Sequence, residues 1–447
     1  MLSSVLIANR GEIARRIMRG CRALGLRTVA VYSEADRDWP FVSEADEAVL
    51  LGPAPARESY LDIERILGAA RHARVDAIHP GYGFLSENWR FAQACEAAGF
   101  TFVGPPWRAI QQMGDKIGAR RLMQAAGVPV VPGSADVVDT LEVAREVAGR
   151  IGYPVMLKAA AGGGGIGMAR VANEAALVTA FASVQRRAQT AFGSAAVFVE
   201  RFLEAPRHLE VQVFGDAHGH LVHVHERECS VQRRHQKLIE ESPAPRLPAA
   251  LKARLTAAAV AGARAVDYVN AGTMEFIVQG DEFYFLEMNT RLQVEHPVTE
   301  EVTGLDLVQA QLHVASGEPL PWRQGQIVQR GASIECRIYA EDPAKNFLPS
   351  PGRLTRFAPP AGPGLRLECG VAEGVEVSVH YDPLLAKLIA TGESREQAVD
   401  RMRDALERFS IEGVKTLIPF HRRVMQSAAF RQGQVHTQMV EQGAFNG

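Results

Sequence analysis

The stretch 273-TMEFIVQGDEFYFLEMNTRLQVEH-296 sets two runs of strand-forming residues around Gln279-Gly280-Asp281-Glu282. Aromatic and branched side chains flanking turn residues are the signature of a β-hairpin. With the turn centred on Asp281, Ile277 faces Phe285 and Glu275 faces Glu287. Directly opposed side chains stand roughly 5 Å apart, and like charges there repel. A solvated surface avoids that arrangement, whereas a divalent cation uses it. Two carboxylates, with Asn289 as a neutral oxygen donor, suit a hard ion such as Mg²⁺ or Mn²⁺ that also holds phosphates. The plain alternative is an exposed hairpin with incidental acids. If the chain stays extended, Glu287, Asn289, Arg291, Gln293 and Glu295 all point to one face. Arg291 beside carboxylates makes an anion clamp, and Glu295 is a candidate proton acceptor.

Upstream, the first hundred residues alternate strand and helix patterns. "SVLIA" (4–8), "RTVAVY" (27–32), "VDAIHPGYGF" (75–84) and "FTFVG" (100–104) read as strands. "GEIARRIMRGCRAL" (11–24) reads as a helix closed by Gly25. Such alternation predicts a parallel, doubly wound sheet with ligand loops at the carboxyl ends of its strands. The lone "NRGE" is no dinucleotide fingerprint, so no nicotinamide cofactor is inferred. "GDKIGARRLMQAAG" (114–127) reads as a helix, and "GYPVMLKAAAGGGGIGMARV" (152–171) as strand, glycine loop, strand. Antiparallel strands follow, and from about residue 330 a third, β-rich region ends in a helix at 394–409.

Three segments invite phosphate. The glycines at 162–165 and 167 let backbone N–H groups approach phosphate oxygens, although the spacing is not that of a P-loop. Lys158, ending an apolar strand just before them, is costly there unless it meets an anion. "ERECSVQRRHQK" (226–237) concentrates Arg227, Arg233, Arg234, His235 and Lys237, read either as an anion pocket or as a solvated basic loop. Lys116 in "MGDK" is a further phosphate contact or a surface helix lysine.

The bulk numbers exclude other classes. The 447 residues suffice for about two to four domains. A net charge of −2 offers no global field for nucleic acid or an anionic membrane. Five scattered cysteines without a Cys-x-x-Cys pair argue against a zinc or redox motif and suit a reducing compartment. No signal-peptide layout and no run of eighteen apolar residues is present, so a cytoplasmic protein with no membrane or nucleic-acid partner is expected.

Taken together, "MGDK", "GYPVMLKA…GGGGIGM", "PRHLEVQV", "ERECSVQRRHQK", "EMNTRLQVEHPVTE" and "ECRIYAEDP…FLPSPG" resemble biotin carboxylase, the ATP-grasp component of biotin-dependent carboxylases. The resemblance runs from "ANRGEIA" to "GVKT". It implies an α/β and α+β architecture: an N-terminal Rossmann-like domain (1–114), an ATP-grasp domain (115–329) with a lid (131–203), and a β-rich C-terminal domain (330–447). It implies that Lys116, Lys158, Glu200, His208, Gln232, His235, Ile277 and Glu287 bind ATP, with Gly163, Gly164, Gly165 and Met168 covering the phosphates. Glu275, Glu287 and Asn289 are then the ligands of Mg²⁺ or Mn²⁺, two ions being expected. Lys237, Arg291, Gln293, Val294 and Glu295 hold bicarbonate, with Glu295 as its base. Arg337 orients biotin, and Tyr82 lies where the biotin pocket is built. The implied activity is ATP-dependent carboxylation of carrier-bound biotin through carboxyphosphate.

Two positions depart from the family pattern: Ile166 and Ala169 stand where a basic residue and an arginine are common, which removes basic character from the lid. No Glu-Ala-Met-Lys-Met-type motif appears, so biotin and the carboxyltransferase are expected on a carrier protein and a partner subunit, or elsewhere in a longer polypeptide. A homodimer is expected. The final acceptor stays open among acetyl-CoA (as in fatty acid biosynthesis), propionyl-CoA, another acyl-CoA, pyruvate and urea. The alternatives are another ATP-grasp carboxylate ligase and a non-catalytic ATP-binding module of a carboxylase complex.

Overall fold

Parallel pairing of short apolar strands builds the first layer. In the computed structural model, which describes residues 2–160 and 167–446, five parallel strands lie in the order Glu47–Gly52, Arg27–Ser33, Ser4–Ile7, Ala77–His79, Thr101–Phe102. The order turns back on either side of Ser4–Ile7, which makes the sheet doubly wound. The loop leaving that central strand carries Asn9 to Glu12. Gly11 there has φ +65°, a left-handed conformation that suits glycine and starts the helix Gly11–Ala23. That helix buries Ile13, Ile17 and Cys21 on one stripe against the Leu307–Ala315 helix.

A second body is a three-stranded antiparallel sheet of Met168–Val171, Val155–Ala159 and Val197–Arg201. The helices Leu141–Ile151 and Glu174–Phe192 cover it through Val147, Leu177, Phe181 and Val184. Gly163, Gly164, Gly165 and Ile166 lie outside the described residues.

The third body is an eight-stranded sheet. The hairpin Asn270–Gln279/Glu282–Asn289 forms one end, followed by Arg207–Gly215, Leu221–Arg233 and Gln236–Ser242. Ala332–Tyr339, Leu384–Gly392 and Leu365–Cys369 continue the same sheet. It therefore runs without a break across the expected boundary near residue 330.

The hairpin register corrects one expectation. Glu275 does pair with Glu287, but Phe276 pairs with Phe285 and Ile277 with Tyr284. The turn is the two-residue Gly280-Asp281, and Leu286 is left over as a bulge between two registers. Without the bulge, the tight turn would set Glu275 against Leu286.

Candidate active site

The acids of the hairpin meet the rest of the site through one lysine. Lys237, on the Gln236–Ser242 strand, donates to Glu210 (2.6 Å), Glu275 (2.7 Å) and Glu295 (2.7 Å). All four side chains are buried. Three carboxylates hold the ammonium, so its pKa rises far above the usual lysine value although burial opposes charge. Burial likewise pushes Glu275 and Glu295 up, but Lys237 overrides it with His208 for the one and Arg337 for the other, leaving both below the usual carboxylate range.

Glu275 is the hub. It accepts from Asn289 Nδ2 (2.8 Å) and Gln293 Nε2 (3.0 Å), and His208 lies 3.0 Å away. Glu287 opens into the cleft beside it; the low-polarity surroundings, then the charges of Glu275 and Glu87, raise its pKa. Lys116, exposed at the start of the Lys116–Ala125 helix, counters that field. The repulsion between opposed carboxylates and the all-oxygen donors of Glu275, Glu287 and Asn289 fit a hard divalent cation.

The five-residue alternation does not lie on one strand, because the strand ends at Asn289. Residues 290–295 turn instead, yet their side chains still converge. Arg291 donates to Asn289 Oδ1 (2.8 Å), Gln293 Oε1 (3.0 Å) and Glu87 (2.9 Å). Glu87, which sequence reasoning missed, thus helps fix the guanidinium from the rim. Glu295 stands just before the His296–Thr303 helix and accepts from Arg337 (2.9 Å).

Arg337 forks between Glu295 and Glu240, the latter at 2.6 Å. It lines a cavity of about 300 Å³ with Arg291, Val294, Tyr82, Asn9 and Asp382. The Tyr82 hydroxyl donates to Glu12, and Asn9 Nδ2 donates to the Tyr82 carbonyl (2.7 Å). The Val294 carbonyl accepts from the buried Lys387 (2.7 Å). Neither Glu240 nor Lys387 belongs to a stretch that sequence patterns single out.

The remaining nucleotide candidates line the adjoining cleft. Lys158 meets its anion in Glu200 (2.6 Å), which also accepts from Arg120. These two cations hold Glu200 below the usual range although burial pushes it up. Met168 pairs with Lys158 across the sheet. Ile277 packs against Val131, Leu203 and Tyr284, a small apolar wall beside His208, and Gln232 Nε2 lies 3.3 Å from His208 Nδ1. His235 sits exposed in the tight turn after Arg233.

The basic segment is not one anion pocket. Arg227 is fully buried and bonds Glu210, Gln212, Thr273 and Thr299. Arg233 bonds Asn346 and the Arg234 backbone bonds Glu441, whereas Arg227 and Lys237 share Glu210 and, among the described residues of the cluster, only Lys237 also reaches Glu275 and Glu295. Arg227 and Lys237 face the buried Glu210 while Arg233 and Arg234 lie at the hairpin tip, which a count of positive charges cannot show.

Three family models match consecutive parts of the chain. Biotin carboxylase, N-terminal domain, matches residues 1–110; Carbamoyl-phosphate synthase L chain, ATP binding domain, matches 115–323; Biotin carboxylase C-terminal domain matches 335–442. The chain is 53% identical to biotin carboxylase 2 of Bacillus subtilis over 99% of this chain and all of that protein. It is 53% identical to a biotin carboxylase of Halalkalibacterium halodurans, over 98% of this chain and 97% of that protein. Its backbone matches a biotin carboxylase–β,γ-ATP complex from Campylobacter jejuni with TM-score 0.94 and 47% identity, over 99% of each chain. It also matches the biotin carboxylase domain dimer of Hydrogenobacter thermophilus 2-oxoglutarate carboxylase, with MgADP, ADP and bicarbonate (TM-score 0.93, 46%, 100% and 99%). The fold is therefore ATP-grasp, with a doubly wound domain before it and a β-rich segment after it. The central model alone is shared with other ligases; with both flanking models and whole-length relatives, the chain belongs to the biotin carboxylase family.

Proposed function

We propose that this chain carboxylates biotin with bicarbonate and ATP, and that the residues gathered around Lys237 carry the chemistry. The observation behind this reading is that one ammonium touches the hairpin acid Glu275 and the cavity acid Glu295 at once, with Arg337 on the far oxygen of Glu295. A nucleotide site and a second-substrate site thereby share one edge.

Bicarbonate sits between Arg291 and Lys237 and attacks the γ-phosphate of ATP, forming carboxyphosphate and releasing ADP. A divalent ion held by Glu275, Glu287 and Asn289 supplies charge neutralisation at the transferring phosphoryl group. Lys116 and Lys158 add positive charge, and the Ile277 wall, His208, Gln232 and His235 complete the nucleotide pocket. Glu295 takes the bicarbonate proton. Lys237 and Arg337 by themselves make it a weak base; an anion that shares those cations raises its proton affinity. Carboxyphosphate then breaks down to CO₂ and phosphate away from bulk water. The phosphate takes the N1′ proton of biotin, Arg337 stabilises the resulting enolate, and the ureido nitrogen bonds CO₂ to give N1′-carboxybiotin. Tyr82 and Val294 shape the cavity that receives the ureido ring.

Finer parts of the reading rest on the family. Biotin arrives on a carrier protein, a separate carboxyltransferase receives the product, and the chain works as a cytoplasmic homodimer; the Hydrogenobacter structure is described as a dimer. Mn²⁺ is expected to replace Mg²⁺ on the same oxygen donors. The acceptor follows the carboxyltransferase, since relatives carry names as different as pyruvate carboxylase and methylcrotonoyl-CoA carboxylase. Among the described residues no helix is long and apolar enough to cross a membrane.

Free biotin, bicarbonate and Mg-ATP supply the direct assay. Phosphate release should depend on both bicarbonate and biotin. Glu295→Ala and Arg337→Ala should each lower kcat about 100-fold. Full activity in both variants would show that the site is elsewhere.

A further inference from the structure

Behind Arg337 lies a pair of acids that the carboxylation chemistry does not use. Glu240 and Glu335 are directly opposed across neighbouring antiparallel strands. Both are fully buried. Glu240 gives one oxygen to Arg337 at 2.6 Å. Its other oxygen, and both oxygens of Glu335, have no hydrogen-bond partner among the described residues. Opposed side chains share one face and stand roughly 5 Å apart at Cβ. Two bare carboxylates there, out of water, repel strongly; one proton turns the repulsion into an O–H···O bond.

We propose that Glu240 and Glu335 hold one proton between them as a buried acid–carboxylate pair, and that this proton sets how far Arg337 reaches into the cavity. Glu335 donates it and the free oxygen of Glu240 accepts it, which satisfies two of the three oxygens left bare. The groups facing the pair are Arg337 from the same strand as Glu335, Lys387 from the next strand, and Glu295 at the helix start. Lys237, farther along the Glu240 strand, and Cys336 act through space. Burial pushes Glu240 up to about 7 and Glu335 well above the ordinary range, and the charge of Glu240 adds to the rise of Glu335. His296 is held neutral by burial and by Lys387.

With the proton in place, a single negative charge stands behind the guanidinium, and Arg337 can share its other edge with an anion in the cavity. Losing it leaves two charges there, which draw Arg337 back and empty the cavity of its donor. Glu240 and Glu335 are thus positioning residues.

Two readouts on the full chain test this. Infrared absorption at neutral pH should show a protonated-carboxyl C=O band that disappears in Glu335→Gln. The same band in wild type and in Glu335→Gln, or none in wild type, overturns the proposal. Should Glu335→Gln fail to fold, Glu240→Gln decides: the band must move, because the acceptor of the hydrogen bond has changed, and a stationary band overturns it.

The second readout is the alkaline limb of kcat/KM for biotin. In Glu335→Gln it should move up by about one pH unit or more, because the amide cannot lose a proton. An unmoved limb overturns the link to Arg337. This arm rests on the proposed carboxylation. If the wild-type chain carboxylates no biotin, that reading fails, while the infrared arm still decides the pair.

Discussion

Arg227 and Arg234 lie seven positions apart in the same basic segment, yet the fold gives them opposite fates. Arg227 has no exposed surface and four of its five N–H groups are used, by Glu210, Gln212, Thr273 and Thr299. Arg234 is exposed in a turn. Arg227→Met should therefore cost about 3 kcal/mol or more, since it strands Glu210 with only Lys237. Arg227→Lys should cost about 2 kcal/mol, because an ammonium cannot reproduce the planar fork. Arg234→Met should stay within about 0.5 kcal/mol. Urea unfolding of the three variants checks the order. A sequence shows charge but not facing, so these arginines looked equivalent. The acids were more legible: a turn centred on Asp281 also opposes Glu275 and Glu287, although the observed pair comes from a two-residue turn offset by the Leu286 bulge. Glu210 and Glu240 were illegible because each lies in a strand of mixed polar and apolar residues and acquires its role only through partners on other strands. The same network sets the acid response. Glu275 and Glu295 are held low by Lys237, so the stability they contribute is complete above the ordinary carboxylate range. It is lost as pH falls through their depressed values.

At the scale of the element, the hairpin bulge keeps Glu275 and Glu287 in opposition. Leu286 has no cross-strand partner and its side chain is 41% exposed, so it contributes little to the core. Its role is to add one residue to the count. Deleting it places Glu287 directly after Phe285, so a regular ladder still sets Glu287 against Glu275 and leaves Phe283 and Phe285 in the core. Deletion of Leu286 should therefore keep the rise in melting temperature that Mg-ATP gives the wild type, whereas Glu287→Leu should abolish it. Calorimetric scans with and without Mg-ATP distinguish the two. The sequence carries the strands and the turn plainly, but a bulge leaves no composition signal. The same holds for residues 290–295, which continue the alternation of the strand in sequence while the backbone turns. Their convergence survives because Gln293 and Arg291 reach back to Glu275 and Asn289.

Across the whole molecule, one buried ammonium joins parts of the chain that are hundreds of residues apart. Lys387 is fully buried and lies on the Leu384–Gly392 strand. Its Nζ reaches Glu12 of the first helix (3.0 Å) and the Val294 carbonyl of the 290–295 loop (2.7 Å). Glu12 in turn accepts from Tyr82, whose ring lies 5.9 Å from the ammonium. The cavity walls from both ends of the chain are thus pinned to the central loop by one charge. Lys387→Met keeps the stem and removes that charge, leaving Glu12 buried without a cation. Burial already raises the Glu12 pKa and Lys387 offsets part of that rise, so the variant raises it further. An acid whose folded pKa is raised takes up a proton on folding, and its penalty grows as pH climbs from the ordinary carboxylate range to the raised value. Urea midpoints should therefore fall more at pH 8 than at pH 5, with a neutral-pH loss of about 3 kcal/mol. The KM for biotin should rise together with this, as the Val294 carbonyl loses its donor, while the KM for ATP stays put. Equal losses at both pH values would mean that Lys387 acts through packing alone.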